Sequence, residues 1–308
     1  MAGSIFDDLP QQGEPDLSGF QWLDLRHAVE QALEPLDFVL PGFKSGTVGA
    51  LVSPGATGKT MLALQAAVTV SGGPDMLDFA SMDTAWRRTA GRVVFLTGED
   101  PADVLNGRFH AIGQRLNPAE REAMFENLSV APLVGRGADV MTFEWRRWIA
   151  GVTRDARLVV IDTLRRFHQL DENDGGHMAG LLAYMEQLCR ENSTTVLFLH
   201  HTSKAGALNG GDAQQASRGS SVLTDNARFQ ANLVGMTPEQ AKQFDVDENC
   251  RRNFVRLSFP KINYSAPIPD QWFRRRDGGL LEPAVLERGT FKSAKTGSFQ
   301  KGGDDERW

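Results

Sequence analysis

The sequence predicts an α/β fold in which a mostly parallel sheet is flanked by helices and finished by a β-rich C-terminal edge. Three observations carry that expectation. Apolar runs of strand length alternate with helical stretches from residue 46 onward. The run "ARLVVIDTL" (156–164) is almost continuously apolar, the pattern of a strand buried on both faces. "VGALVSPGATGKTMLALQAAV" (48–68) reads as strand, small-residue turn and helix, the unit from which parallel sheets with right-handed crossovers are assembled.

The elements follow in order. Residues 1–18 are rich in Pro, Gly and Asp and read as disordered, whereas "FQWLDLRHAVEQAL" (20–33) puts Leu23, Val29 and Leu33 on one helical face. "EPLDFVLPGFKSG" is a loop with short extended pieces, broken by Pro35, Pro41 and Gly42. "TVGALV" is a strand, and "KTMLALQAAVTVSGG" an amphipathic helix that stops at its glycines. Next come the strand "GRVVFLTGED" and the helix "PADVLNGRFHAIGQRL", whose proline suits a first turn. "LSVAPLVG" reads as strand, "TFEWRRWIAGVTRD" as helix, "MAGLLAYMEQLCRENS" as helix and "TTVLFLHHTSK" as a further buried strand. Beyond residue 250, "NFVRLSFPKINYS" and "DQWFRRRDGGLLEPAVLE" are strands and turns completing the sheet edge, followed by a Gly, Lys and Ser rich tail. The expected division is a flexible segment with a docking helix at 1–34, one large domain at 35–288 and a tail at 289–308.

Composition narrows the class. Apolar content of 41% and charged content of 23% are those of a globular protein. Cys189 and Cys250 are the only cysteines, which supply neither a disulfide framework nor a zinc pattern. No apolar run reaches membrane-spanning length and the start lacks a basic stretch before an apolar one, so a cytoplasmic protein without membrane attachment is expected. The net charge is −6, yet residues 251–300 carry ten Lys or Arg against four acids, which would allow a local basic surface on an acidic body.

The chemistry concentrates in four places. Ser53, Pro54, Gly55, Ala56, Thr57, Gly58, Lys59 and Thr60 form a phosphate loop: backbone N–H groups at a helix start, a lysine for β and γ phosphates and a hydroxyl for Mg²⁺. Serine stands where the usual pattern has its first glycine, and the turn tolerates it if Ser53 keeps a negative φ. Asp162 ends a buried strand, where a carboxylate can reach Mg²⁺. Glu99 closes "VVFLTGE" and would share the carboxyl edge of the sheet, the place for a group that orients or deprotonates water. Asp100 is the rival base, or a cap for the following helix. His200 and His201 end a strand on opposite faces, so one of them faces a nucleotide as a γ-phosphate sensor. The long glycine-rich loop after them could carry Lys204 and Arg218 to a nucleic-acid backbone.

Taken together these stretches resemble the RecA-fold P-loop ATPases. "PLDFVLPGFKSGTVGALVSPG", "VIDTLRRFH", "FLHHTSK", "QQASRGSSVLTDNAR" and "DQWFRRRDGGLLEPAVLER" look like the RepA hexameric replicative helicases of broad-host-range plasmids, a likeness running over 35–288. The resemblance implies a homo-hexamer with ATP and Mg²⁺ at each subunit boundary and single-stranded DNA through the centre. It also implies possible plasmid or phage initiator and primase partners. It assigns phosphate to Lys59, Mg²⁺ to Thr60 and Asp162, base catalysis to Glu99, γ-phosphate sensing to His201 and an arginine finger acting on a neighbour's ATP to Arg228. Residues 171–177 and 203–217 match channel loops. The competing readings are a RecA-fold DNA-dependent ATPase that remodels or loads recombination proteins without unwinding, and a nucleotide-dependent scaffold or switch. A P-loop kinase lacks support, since neither a second substrate pocket nor an arginine-rich lid is evident.

Overall fold

A computed structural model describes residues 22–201 and 222–287, and its two units part after Leu36. Among the described residues the first holds one short helix, α1 (Leu25–Glu30), well inside the 20–33 span expected. Asp24 caps it by accepting from the His27 N–H at 3.0 Å, and Arg26 pairs with Glu30 at 2.9 Å, but no α1 residue is buried. Without a packed face, local bonds sustain less than two turns.

The second unit opens with an antiparallel pair, β1 (Phe38–Leu40) and β2 (Phe43–Lys44). There follow β3 (Val48–Ser53), α2 (Lys59–Val70), α3 (Phe79–Met82), β4 (Val93–Thr97), α4 (Ala102–Gly113) and α5 (Pro118–Asn127). The chain continues through β5 (Leu128–Pro132), α6 (Phe143–Thr153), β6 (Leu158–Asp162), α7 (Gly175–Asn192) and β7 (Val196–His201). It ends with α8 (Val222–Asn226), β8 (Phe229–Gly235), α9 (Pro238–Gln243), β9 (Phe254–Ile262), β10 (Gln271–Arg275) and β11 (Leu281–Ala284).

Among the described residues nine strands form one sheet in the order β11-β10-β9-β8-β3-β7-β6-β4-β5. From β5 to β8 neighbours are parallel, and from β8 to β11 antiparallel. The α/β class with a mostly parallel sheet and a β-rich C-terminal edge is therefore observed. Strand alternation splits the core between the two faces. Leu51, Phe95 and Val160 pack with α2, Phe43, Phe79 and Leu281. Ala50, Val159 and Phe198 pack with Ile149 of α6 and Leu181, Met185 and Leu188 of α7.

Several expectations change. All twelve residues of α2 are buried, so it is not amphipathic: the sheet covers one side and the β10–β11 hairpin another. Pro101 caps α4 instead of entering its first turn. α7 begins at Gly175, three residues before the expected run, because the Asp174 side chain accepts from the Gly176 and His177 N–H groups. Five elements are unanticipated: α3, α5, α8, β8 and α9, although α5 and α9 each carry a capping box, Asn117 with Glu120 and Thr237 with Gln240. Much of the C-terminal positive charge is paired locally. Arg251, Arg256 and Arg276 bond Glu248, Asp270 and Glu282 at 2.7, 3.0 and 2.7 Å.

Candidate nucleotide-binding site

Parallel register sets the site. Ser53 at the end of β3 lies opposite His201 at the end of β7, and Thr97 at the end of β4 lies opposite Asp162 at the end of β6. The loop after β3, Glu99, Asp162 and His201 therefore share one carboxyl edge, the usual ligand edge of an open α/β sheet. Residues 54 and 56–60, Glu99 and His201 line a cavity of about 390 Å³ there.

The phosphate loop takes its shape from Ala56 and Gly58, the positions with left-handed φ of 60° and 101°. Ser53, fully buried, is not among the positive-φ residues and donates to the Pro54 carbonyl at 3.0 Å. The Thr57 hydroxyl donates to the same carbonyl at 2.8 Å. Gly58 caps α2 without a side-chain bond, and its lack of a Cβ makes that φ accessible. The first-turn N–H groups of α2 thus meet the cavity with no side-chain acceptor, an anion-binding arrangement.

Lys59 is buried, and burial lowers its pKa against the opposing pull of Asp162 and Glu99. Thr60 Oγ1 donates to Asp162 Oδ2 at 2.8 Å, while Asp162 Oδ1 is buried without a partner. Burial raises Asp162 to about 6, against the pull of Lys59 and the Thr60 bond. Among the described residues no group of three or more His, Cys, Asp or Glu is placed to enclose a metal. The donor set fits Mg²⁺ held jointly by Thr60, Asp162, phosphate oxygens and water, the way that ion is usually bound. The orphaned Oδ1 is the acceptor such a hydrated ion needs.

Glu99 sits across the cavity. Its Oε1 meets His201 Nε2 at 3.4 Å, accepts from Thr163 Oγ1 at 3.0 Å and lies 3.9 Å from Arg166 Nε. The His201 bond is the main cause, ahead of Thr163 and Lys59, that holds Glu99 down to about 2 against the cost of burial. His200 is buried on the opposite face of β7, and the His201 side chain is 41% exposed toward the site. Asp100 does not cap α4, whose N-cap is Pro101; it pairs with Arg108 of α4 at 2.8 Å, and both line the cavity.

Arg228 lies elsewhere. It precedes β8, its N–H donates to the Val48 carbonyl at the opposite end of β3, and its side chain is exposed. With Ser53 five residues further along β3, about 17 Å of strand separates Arg228 from its own phosphate loop. Residues 171–174 form a turn and 175–177 the first turn of α7. Lys204, Arg218 and the 203–217 segment lie outside the described residues.

The residues that sequence reasoning missed form the far wall. Arg275 donates to the Thr57 and Ala56 carbonyls at 2.7 and 3.4 Å, and Gly278 and Gly279 complete the lining. The signal was the arginine run before Gly-Gly in "FRRRDGG", which reads as strand and turn until tertiary contact gives it a target. Thr163, the donor to Glu99, was hidden as the residue beside Asp162.

A family model described as AAA_25, an AAA domain, matches residues 14–207. Two solved structures share the fold. One, described as an ATPase domain, is 15% identical with a TM-score of 0.51, covering 84% of this chain and 96% of that one. A DnaB-like replicative helicase, described with its interactions with primase, is 16% identical with a TM-score of 0.55 over 88% of this chain and 68% of that one. The architecture is accordingly that of RecA-like P-loop ATPase domains. No helix among the described residues is long and apolar enough to cross a membrane.

Proposed function

We propose a function from one premise: the chain belongs to the AAA domain family, matched over residues 14–207 of its 308. Family and fold together support an ATP hydrolase with the architecture of replicative-helicase ATPase domains. The finer reading is an ATP-dependent replicative DNA helicase of the RepA type. It would be a homo-hexamer that moves on single-stranded DNA and unwinds duplex during replication of a plasmid or similar element, in the cytoplasm, with initiator and primase proteins as candidate partners. The motif resemblance over 35–288 supports this, as does the fold shared with a helicase described together with primase.

In this reading Lys59 and the first-turn N–H groups of α2 hold phosphate oxygens, and Thr60 and Asp162 would hold Mg²⁺, which would supply charge to offset that of the phosphates. Glu99 accepts the proton of the attacking water. A group held near 2 is a poor base, so His201 must leave it first. Turning His201 Nε2 from Glu99 toward a γ-phosphate removes the chief donor that keeps Glu99 acidic, which links sensing to activation.

The observation that carries the helicase reading beyond a plain ATPase is Arg228. Set about 17 Å of strand away from its own phosphate loop, it serves only a neighbouring copy's ATP, and such a finger is worth roughly 10³–10⁵ in rate. The test is strand displacement on a forked substrate with ATP and Mg²⁺, beside Lys59→Ala and Arg228→Ala. Unwinding by wild type and by neither variant supports the reading. DNA-stimulated hydrolysis without displacement moves it to a remodelling ATPase, and assembly without hydrolysis to a scaffold. Arg228→Ala activity restored by mixing with Lys59→Ala subunits is the further outcome expected of a shared site.

A further inference from the structure

Phosphate-loop N–H groups can face an anion only if the same peptides turn their carbonyls outward, and something must meet those oxygens. Here the Arg275 guanidinium does. It reaches across from the end of β10 and donates from Nη2 to the Thr57 carbonyl at 2.7 Å and to the Ala56 carbonyl at 3.4 Å. Ala56 is the loop residue that most needs holding, because at φ 60° an L-residue crowds its own carbonyl. From Gly58, where a Cβ would stand, Arg275 Nη2 is 3.5 Å away.

The charge of Arg275 has no carboxylate to offset it. Its neighbour Arg276 pairs with Glu282, and Arg274 lies over the Phe254 ring, but among the described residues no acid lies within ion-pair distance of Arg275. It also lines the same cavity as Lys59. A guanidinium has five donors, and the carbonyls occupy one nitrogen, so the rest of the fork remains for an anion.

We infer that Arg275 is a cis-acting positioning residue for nucleotide: it fixes the Ala56 and Thr57 carbonyls outward, keeps the loop open to phosphate and adds an uncompensated positive charge to the wall. The inference rests on the nucleotide site proposed above and deepens it. Hairpin β10–β11 thereby becomes part of the phosphate site, and the strength of nucleotide binding depends on how the hairpin is seated.

The test titrates the full chain with a fluorescent ADP or ATP analogue and Mg²⁺, and measures KM and kcat for ATP. Arg275→Gln and Arg275→Lys are compared with Arg274→Gln as control and Lys59→Ala as reference. Loss of a charged donor predicts roughly tenfold weaker binding and a KM raised to match for Arg275→Gln, with kcat within about twofold. Arg275→Lys, which keeps the charge but has one compact head, should recover part of the affinity, and Arg274→Gln should bind as wild type. A purely structural role would instead lower the nucleotide-free Tm and cut kcat without that split, which overturns the inference. So does unchanged affinity in Arg275→Gln while Lys59→Ala loses binding. If wild type binds no nucleotide, or Lys59→Ala binds as well as wild type, the site itself is misread and the fault lies upstream of Arg275.

Discussion

The wall of the cavity formed by the ends of β4, β6 and β7 and the wall formed by the β10–β11 hairpin bring charge to the same space by different routes. In the first, parallel register delivers Glu99, Asp162 and His201 to one edge, each from its own strand. In the second, a hairpin at the far flank of the sheet folds back so that Arg275 meets the phosphate loop, held there by Gln65 on Leu281 and by Arg115 on Glu282. The first wall is local geometry repeated three times. The second exists only when the chain is complete, and so the two should fail differently: the strand-end wall in chemistry, the hairpin wall in seating and affinity.

The sharpest way to break that contrast is Glu99→Gln. It keeps the shape and removes the proposed base, so kcat should fall by roughly 10²–10⁴ while nucleotide affinity changes only a few-fold. Single-turnover hydrolysis and equilibrium binding, measured together, separate the two, and a variant that loses affinity as much as rate would place Glu99 in binding.

Within the same wall Asp162 and Glu99 are shifted in opposite directions. Burial raises Asp162 from 3.8 to about 6, so the protonated acid is favoured by the fold and that contribution is lost as pH rises through 6. At pH 7.5 the buried charge then costs about 3 kcal/mol. Asp162→Asn should therefore melt several degrees higher than wild type at pH 7.5 without Mg²⁺ or nucleotide, and no higher near pH 4, while losing Mg²⁺-dependent hydrolysis. Glu99, held down, contributes stability above 4.5 that is lost as pH falls toward 2. A melting difference between Asp162→Asn and wild type that does not vary with pH would mean that Asp162 is not held protonated-prone by its burial.

How much of this could be read in the chain follows from the same contrast. The phosphate loop, Asp162 and His201 were legible because each follows an apolar run that could only be a buried strand, and parallel register then fixes which ends meet. β8 was harder, since "FQANLVG" includes Gln230 and Asn232, polar residues whose side chains bond each other inside the sheet. α2 looked amphipathic because Lys59, Thr60, Gln65 and Thr69 interrupt its apolar pattern. Their partners are distant: Gln65 bonds Leu281, 216 residues away, and Thr60 bonds Asp162, 102 residues away. Arg275 and Arg108 carried no periodic signal at all, because what gives them meaning is a carbonyl or a carboxylate brought close by tertiary packing.

Gln65 tests the seating of the hairpin from the helix side. Its amide accepts from Leu281 N and donates to Leu281 O, both at 2.9 Å and both buried. Gln65→Leu preserves bulk and strands two backbone groups, a loss of about 2–4 kcal/mol in unfolding free energy. Denaturant unfolding should show that loss, together with weaker nucleotide binding, whereas kcat at saturation should stay near wild type. Loss of kcat at saturating ATP would mean that the two walls are not separable.

A smaller disturbance acts at the hairpin tip. Gly278 has φ 70°, and a Cβ there would stand 2.4 Å from the Ala111 Cβ of α4. Gly278→Ala meets both the left-handed penalty and that contact, about 1–3 kcal/mol between them. The contact cannot relax by rotation, since both atoms are Cβ; the tip must lift from α4 or the backbone must shift. Lifting the tip draws Arg275, three residues before it, away from the Thr57 carbonyl. The substitution therefore predicts a KM for ATP raised several-fold with little change in kcat, and partial correction by Ala111→Gly, which removes the opposing Cβ but leaves the strained φ. An unchanged KM with a lower Tm would show that α4 yields instead, and that the phosphate loop keeps its shape without the hairpin pressed against it.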